Sequence, residues 1–121
     1  MKIQLIKLDR VDSTNNVAIR RIKSGKVQPS LIVANLQKKG RGQHGRRWVS
    51  YKGNIFLSIY FKIKKNFSLK SETKKIYLVL KKSLNSFVKE RITVKPPNDL
   101  LIKGSKFCGI LQEIIAYKNN K

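Results

Sequence analysis

Gln37-Lys38-Lys39-Gly40-Arg41-Gly42-Gln43-His44-Gly45-Arg46-Arg47-Trp48 gathers three glycines and three arginines into twelve residues and ends on the chain's only tryptophan. Glycine tolerates positive φ and lets a backbone approach a ligand closely, so a loop of this kind exposes successive N–H groups. Arg41, Arg46 and Arg47 add planar, permanently charged forks that match carboxylate or phosphate oxygens. Trp48 offers an apolar wall for a flat ligand. The stretch reads as a loop built to hold an anion. Taken alone, it reads more often as a surface hairpin loop in a very basic protein, where Gly and Arg coincide by chance.

Strand-like segments flank the loop. Leu31 to Leu36 is short and apolar, and Asn54 to Ile63 is rich in β-branched and aromatic residues. Ile3 to Leu8 suits an opening strand. Asp12-Ser13-Thr14-Asn15 marks a helix start, because short polar side chains accept from the free N–H groups of a first turn, and Ser24-Gly25 ends that helix. A second helix is expected from Ser71 to Lys89, with Ile76, Leu80, Leu84 and either Phe87 or Val88 along one face. Ile92 to Lys95 is a short strand halted by Pro96-Pro97, which lack ladder donors. Leu100 to Ile102, a turn at Lys103-Gly104-Ser105, and Phe107 to Ile115 form a closing hairpin. The order β-α-β-β-α-β-β-β predicts an α+β fold, a mixed β-sheet with helices packed on it, in one domain over residues 1–121.

The charge balance is extreme: 28 Lys+Arg against 6 Asp+Glu, a net +22. Such a field attracts anions of every kind without choosing among them. Much of the excess is Lys spread along the chain beside abundant Ile and Asn, as a general compositional drift would also produce. Cys108 is the only cysteine, so an intrachain disulfide is excluded, and it reads as a small core residue. One Cys and one His, His44, are too few for a structural zinc site. No apolar run approaches the length of a signal sequence or a membrane span, which gives the expectation of a cytoplasmic protein.

Four segments carry chemistry together: Asp12-Ser13-Thr14-Asn15, Gln37 to Trp48, Val94-Lys95-Pro96-Pro97-Asn98-Asp99-Leu100, and Lys106-Phe107-Cys108-Gly109-Ile110-Leu111. In this order and at this spacing they resemble the catalytic domain of biotin–protein ligases. The pattern of that family is a D-S-T-N helix start, a Q-x-x-G-R-G-x-x-G-R-x-W loop, a V-K-W-P-N-D segment and a K-x-x-G-I-L strand. The likeness runs from Leu5 to Glu113. It implies the class II aminoacyl-tRNA-synthetase-like fold of biotin–lipoate ligases, incomplete here. The family continues with a G-I-G-I-N strand and usually a small C-terminal β-barrel, and neither that barrel nor an N-terminal DNA-binding module is expected in these residues.

The resemblance also implies an activity: ATP-dependent conversion of biotin to biotinyl-5′-AMP and transfer to a lysine of the biotin carboxyl carrier domain of a carboxylase. No membrane partner is expected from the short apolar runs, a nucleic-acid partner is disfavoured, and a homodimer is left open. By position, Ser13, Thr14, Asn15 and Gln37 would line the biotin site, and Arg41, Gly42 and Gln43 the loop that closes over the adenylate. Gly40, Gly45, Arg46 and Trp48 would frame that loop on the nucleotide side. Lys106 would stand beside the biotin carboxylate and the α-phosphate, and Arg41 and Lys106 are the expected catalytic pair. Asn98 and Asp99 would face ATP, with Mg2+ near Asp99 and no metal cage built by protein alone.

Blander readings stand beside these. Ser13 to Asn15 is also a simple helix cap, and Pro97-Asn98-Asp99 an ordinary turn. Pro96 replaces the family's aromatic residue, and Gln43 stands where a basic residue is common. Three other functions remain open: a catalytically impaired remnant, lipoate attachment, and a basic nucleic-acid-binding module. In the last, Tyr51, Phe56, Tyr60 and Phe61 would stack bases near Arg46 and Arg47.

Overall fold

The computed structural model describes residues 2–64, 66–95 and 99–116. They form two compact units, one comprising the chain up to Ile63 together with the segment from Glu113 onward, the other Lys64–Gln112.

The first unit contains β1 (Gln4–Val11), α1 (Thr14–Lys23), β2 (Ser30–Gln37), the short pair β3 (Gly40–Arg41) and β4 (Arg47–Trp48), and β5 (Phe56–Tyr60). β1 and β2 are parallel, so the chain between them must cross over, and α1 is that crossover. β5 adds antiparallel to the other edge of β2, giving a mixed sheet in the order β1-β2-β5. Alternation along the strands turns Ile6, Leu8, Ile32 and Tyr60 to one face, where Ala18, Val17 and Ile22 of α1 pack on them and Ile32 is wholly buried. Leu5, Leu57 and Ile59 take the other parity and are half exposed.

The ends of α1 are fixed by side chains. Ser13 caps it by accepting from the Asn16 N–H at 2.9 Å. Arg20, Arg21 and Lys23 fill the last turn, where the helix dipole favours positive charge. The Tyr60 hydroxyl accepts from Arg21 Nε at 3.1 Å and donates to the Lys26 carbonyl at 2.8 Å, tying β5 to the chain that leaves the helix.

The second unit has α2 (Leu69–Asn85) and an antiparallel meander of β6 (Ile92–Lys95), β7 (Asp99–Ile102) and β8 (Ser105–Gly109). Its core is Tyr77, Ile92 and Leu100, with Leu80, Leu84, Val88, Ile102, Cys108 and Ile110 around them. Lys103 and Gly104 both take positive φ (52° and 77°), as a tight two-residue hairpin turn requires.

Several boundaries differ from those expected from sequence. β1 extends three residues beyond Leu8 because its parallel register with β2 continues to Val11 opposite Gln37. β5 is shorter than Asn54 to Ile63, since only Phe56–Tyr60 face partners on β2. α2 starts at Leu69, capped by the Ser68 hydroxyl, and ends at Asn85, where the Ser86 hydroxyl turns back to the Ser83 carbonyl. Tyr77 is the deeply buried position on its face, and Val88 packs in the core while Phe87 is 83% exposed. Among the described residues β8 stops at Gly109 and Ile110 packs in the core with no strand partner, so the strand expected to reach Ile115 is cut short. Pro96, Pro97 and Asn98 lie outside the described residues, and with them the expected strand break and the expected role of Asn98.

Candidate functional site

The crossover brings the start of α1 beside the end of β2. Gln37 Oε1 accepts from the Thr14 backbone N–H at 2.7 Å and lies 3.1 Å from Thr14 Oγ1. Thr14 Oγ1 is 2.7 Å from Ser58 Oγ, and Ser58 in turn donates to Asn15 Oδ1. Asn15 Nδ2 donates to Glu113 Oε1 at 3.1 Å. Glu113 closes the series with a bidentate pair to Arg41, at 3.0 Å to one terminal nitrogen and 2.7 Å to the other. Six side chains from five segments are thus linked in one hydrogen-bonded line.

Thr14 and Ser58 are buried, and each finds its partners within this line. That matters because a buried hydroxyl left unpaired costs about 1–3 kcal/mol. Ser13 is buried too, but its side chain is spent on the helix cap. Asp12, just before it, accepts from Arg20 at 2.7 and 2.9 Å and from Asn16 at 3.0 Å. These bonds, chiefly that to Arg20, hold the Asp12 carboxyl far below the usual carboxylate range. Asp12 is therefore a brace for the first turn of the helix.

The glycine-rich loop is a hairpin. Gly40 pairs with Trp48 and Arg41 with Arg47, and the Gly42 N–H donates to the Arg46 carbonyl at 2.7 Å. A single 3-10 turn, Gln43–Gly45, makes the bend, with His44 in the left-handed region at φ 58°. Trp48 lies against its own loop: a methyl group at Gly42 would overlap the indole, 2.7 Å from Cδ1. A methyl group at Gly40 would meet the Trp48 carbonyl at 2.9 Å and Gln37 Nε2 at 3.0 Å. Both glycines are needed for close approach, and Trp48 braces the hairpin as well as offering a wall to a ligand.

Lys39, Gly40, Arg41, Gly45, Arg46 and Arg47 line an open depression of about 260 Å³. Four of the six are cationic, which suits an anion. Pairing with Glu113 raises the Arg41 guanidinium further above its ordinary value, and the same hydrogen bonds hold Glu113 below its own, against a smaller opposing effect of burial.

Of the residues expected from sequence, Thr14, Asn15, Gln37 and Arg41 are joined directly, Ser13 supports them as a cap, and Gly40, Gly42, Gln43, Gly45, Arg46 and Trp48 form the adjoining hairpin. Lys106 and Asp99 belong to the second unit, where Lys106 Nζ meets Asp99 Oδ1 at 3.1 Å. Two members of the line were not anticipated. Ser58 is a hydroxyl at an inward position of an apolar strand, and that break in alternation is its signal. Glu113 is one of only six acidic residues in a chain of net charge +22, and that scarcity is its only signal in the sequence. The proposed base-stacking strip is overturned at Tyr60, which is 8% exposed with its hydroxyl committed to Arg21 and Lys26.

Residues 8–121 match the biotin/lipoate A/B protein ligase family, and the chain belongs to it. It is 31% identical over 109 residues to a bifunctional ligase/repressor BirA of Escherichia coli, covering 86% of this chain and 33% of that protein. It is also 31% identical over 109 residues to a biotin–[acetyl-CoA-carboxylase] ligase of Paracoccus denitrificans, covering 88% of this chain and 45% of that one. In structure it resembles the biotin protein ligase of Aquifex aeolicus in complex with biotin and ATP. The TM-score is 0.79 at 31% identity, over 92% of this chain and 47% of that one. The chain therefore spans between a third and a half of the length of these relatives. Among the described residues no helix is long and apolar enough to cross a membrane.

Proposed function

We propose that this chain carries the biotin-binding part of an ATP-dependent ligase, one that converts biotin to biotinyl-5′-AMP and transfers it to a lysine of a biotin carboxyl carrier domain in the cytoplasm. The observation that carries the reading is the line from Gln37 through Thr14, Ser58 and Asn15 to Glu113 and Arg41. It sets neutral donors and acceptors beside a cationic hairpin. Biotin has the same two-part character, a neutral ureido head with N–H and C=O groups and a carboxylate at the end of its tail. Support comes from membership of the family and from the likeness to a biotin protein ligase in complex with biotin and ATP.

The chemistry asks for positive charge. A carboxylate oxygen attacks the α-phosphorus of ATP and pyrophosphate leaves; the carrier lysine then attacks the acyl carbon and AMP leaves. The first step brings two anions together, so fixed cations are the main requirement. In this reading Arg41 and Arg46 of the first unit supply them, and Gly40, Gly42, Gln43, Gly45 and Trp48 shape the loop that retains the adenylate. Magnesium carried on ATP phosphates keeps several waters and needs only one or two protein carboxylates. Asp99 could be one, although it is already paired with Lys106, and no cluster of three or more His, Cys, Asp or Glu exists among the described residues.

Titration of the chain with biotin tests the reading. Saturable binding at one site is expected, weakened roughly tenfold or more in Gln37→Ala because the buried Thr14 N–H loses its acceptor and the head group loses an amide partner together. Equal affinity in Gln37→Ala would remove this site from the proposal. Pyrophosphate release from ATP in the presence of biotin then reports whether the chain completes the first step.

A further inference from the structure

The line of side chains beside the hairpin has a direction, and the groups at its ends determine it. Glu113 bridges two cationic N–H groups of Arg41 and, as a carboxylate, can only accept. Asn15 must therefore turn Nδ2 toward Glu113, which places Oδ1 toward Ser58. An amide oxygen also only accepts, so the one Ser58 proton goes to Asn15. The 2.7 Å contact between Ser58 Oγ and Thr14 Oγ1 can then be made only with the Thr14 proton. Its 3.1 Å approach to Gln37 Oε1 is the weaker arm of that same proton, since Gln37 Oε1 is held in place by the Thr14 backbone N–H.

We infer that Glu113 sets the hydrogen-bond polarity of the pocket: it is a positioning residue that, through Asn15 and Ser58, leaves Thr14 Oγ1 as an acceptor for a ligand N–H. Gln37 Nε2, turned away from Thr14, is then the complementary donor. A head group offering N–H and C=O side by side is matched by this pair, and one offering two acceptors is not. Glu113 also orients Arg41. It engages the two terminal nitrogens end-on, and the Nε–H, buried and with no acceptor among the described residues, is the edge left for a ligand oxygen. The identity of the head group rests on the biotin reading given above. The polarity of the line does not.

Three variants and two measurements test the inference. In E113Q the new amide can donate, which allows Asn15 to flip and the Ser58 and Thr14 protons to reverse. In N15D/E113Q an acceptor-only group faces Ser58 and a donor faces it from position 113, which restores the original direction. In E113D the acceptor is retained. Biotin titration of the whole chain should show E113Q weakened roughly tenfold or more, with N15D/E113Q and E113D closer to the parent. A purely structural role for Glu113 would make the double variant worse than E113Q, and that result overturns the inference. So does parent-like affinity in E113Q. The side-chain amide resonances of Asn15, followed by NMR without ligand, supply the second readout. They should move on E113Q and keep their new environment across pH, whereas unchanged resonances overturn the polarity. If the parent chain binds no biotin while the Asn15 resonances respond as described, the functional reading fails and the polarity stands.

Discussion

At the residue scale, the site is held by partners more than by packing. Gln37 accepts from the buried Thr14 N–H, so Gln37→Ala should destabilise the fold by about 1–3 kcal/mol, read from the midpoint of urea unfolding. Glu113 gives a pH signature. Its carboxyl is held below the ordinary value of 4.5, first by its hydrogen bonds to Arg41. A carboxylate depressed in the folded state contributes stability that is present above the unfolded value and is lost as pH falls through the folded value. Stability should therefore decline on acidification below 4.5, and E113Q should decline less steeply over that window. Parallel acid limbs in the two proteins would show that the pair contributes nothing. Asp12 is lowered in the same direction, so part of the acid loss should persist in E113Q. The sequence showed Thr14, Asn15, Gln37 and Arg41 through their motifs. It concealed Glu113, because the partner of Arg41 lies 72 residues away and no local pattern encodes that meeting.

At the scale of elements, the start of α1 and the hairpin are the parts most open to test. Ser13→Ala removes the cap and should cost about 0.5–2 kcal/mol by the same unfolding measurement. Gly42→Ala drives a methyl group into the Trp48 indole, so the hairpin must shift. A cost of about 1–3 kcal/mol is expected, with loss of biotin affinity if the loop is part of the site. A wild-type thermal and binding profile for Gly42→Ala would show that the loop accommodates the methyl group without consequence. Elements with strong local signals were legible: the Asp12-Ser13 start of α1, the apolar run of β5 and the Lys103-Gly104 turn. Their lengths were not, because strand ends depend on which residues find partners across the sheet. β1 gained three residues from β2, and the segment expected to extend β8 gained none. A hairpin was one reading of the glycine-rich stretch, but the register of the β3–β4 pairing was not legible for a related reason: two-residue strands carry no periodicity.

For the whole molecule the dominant property is its charge. A net +22 predicts association with polyanions of many kinds, weakening steeply with added salt and indifferent to biotin. A filter-binding series with DNA at rising ionic strength checks this. Tight, salt-resistant binding would favour the nucleic-acid reading, although the burial of Tyr60 already removes one of its four stacking residues. The placement of Trp48 has one more consequence. It is the only indole in the chain, and it lies against Gly42 in the hairpin that lines the cationic depression. Intrinsic tryptophan fluorescence therefore comes from that loop alone. A shift in emission colour or quenching on adding a ligand would report the hairpin without a label, which makes the protein its own optical sensor for whatever it binds there.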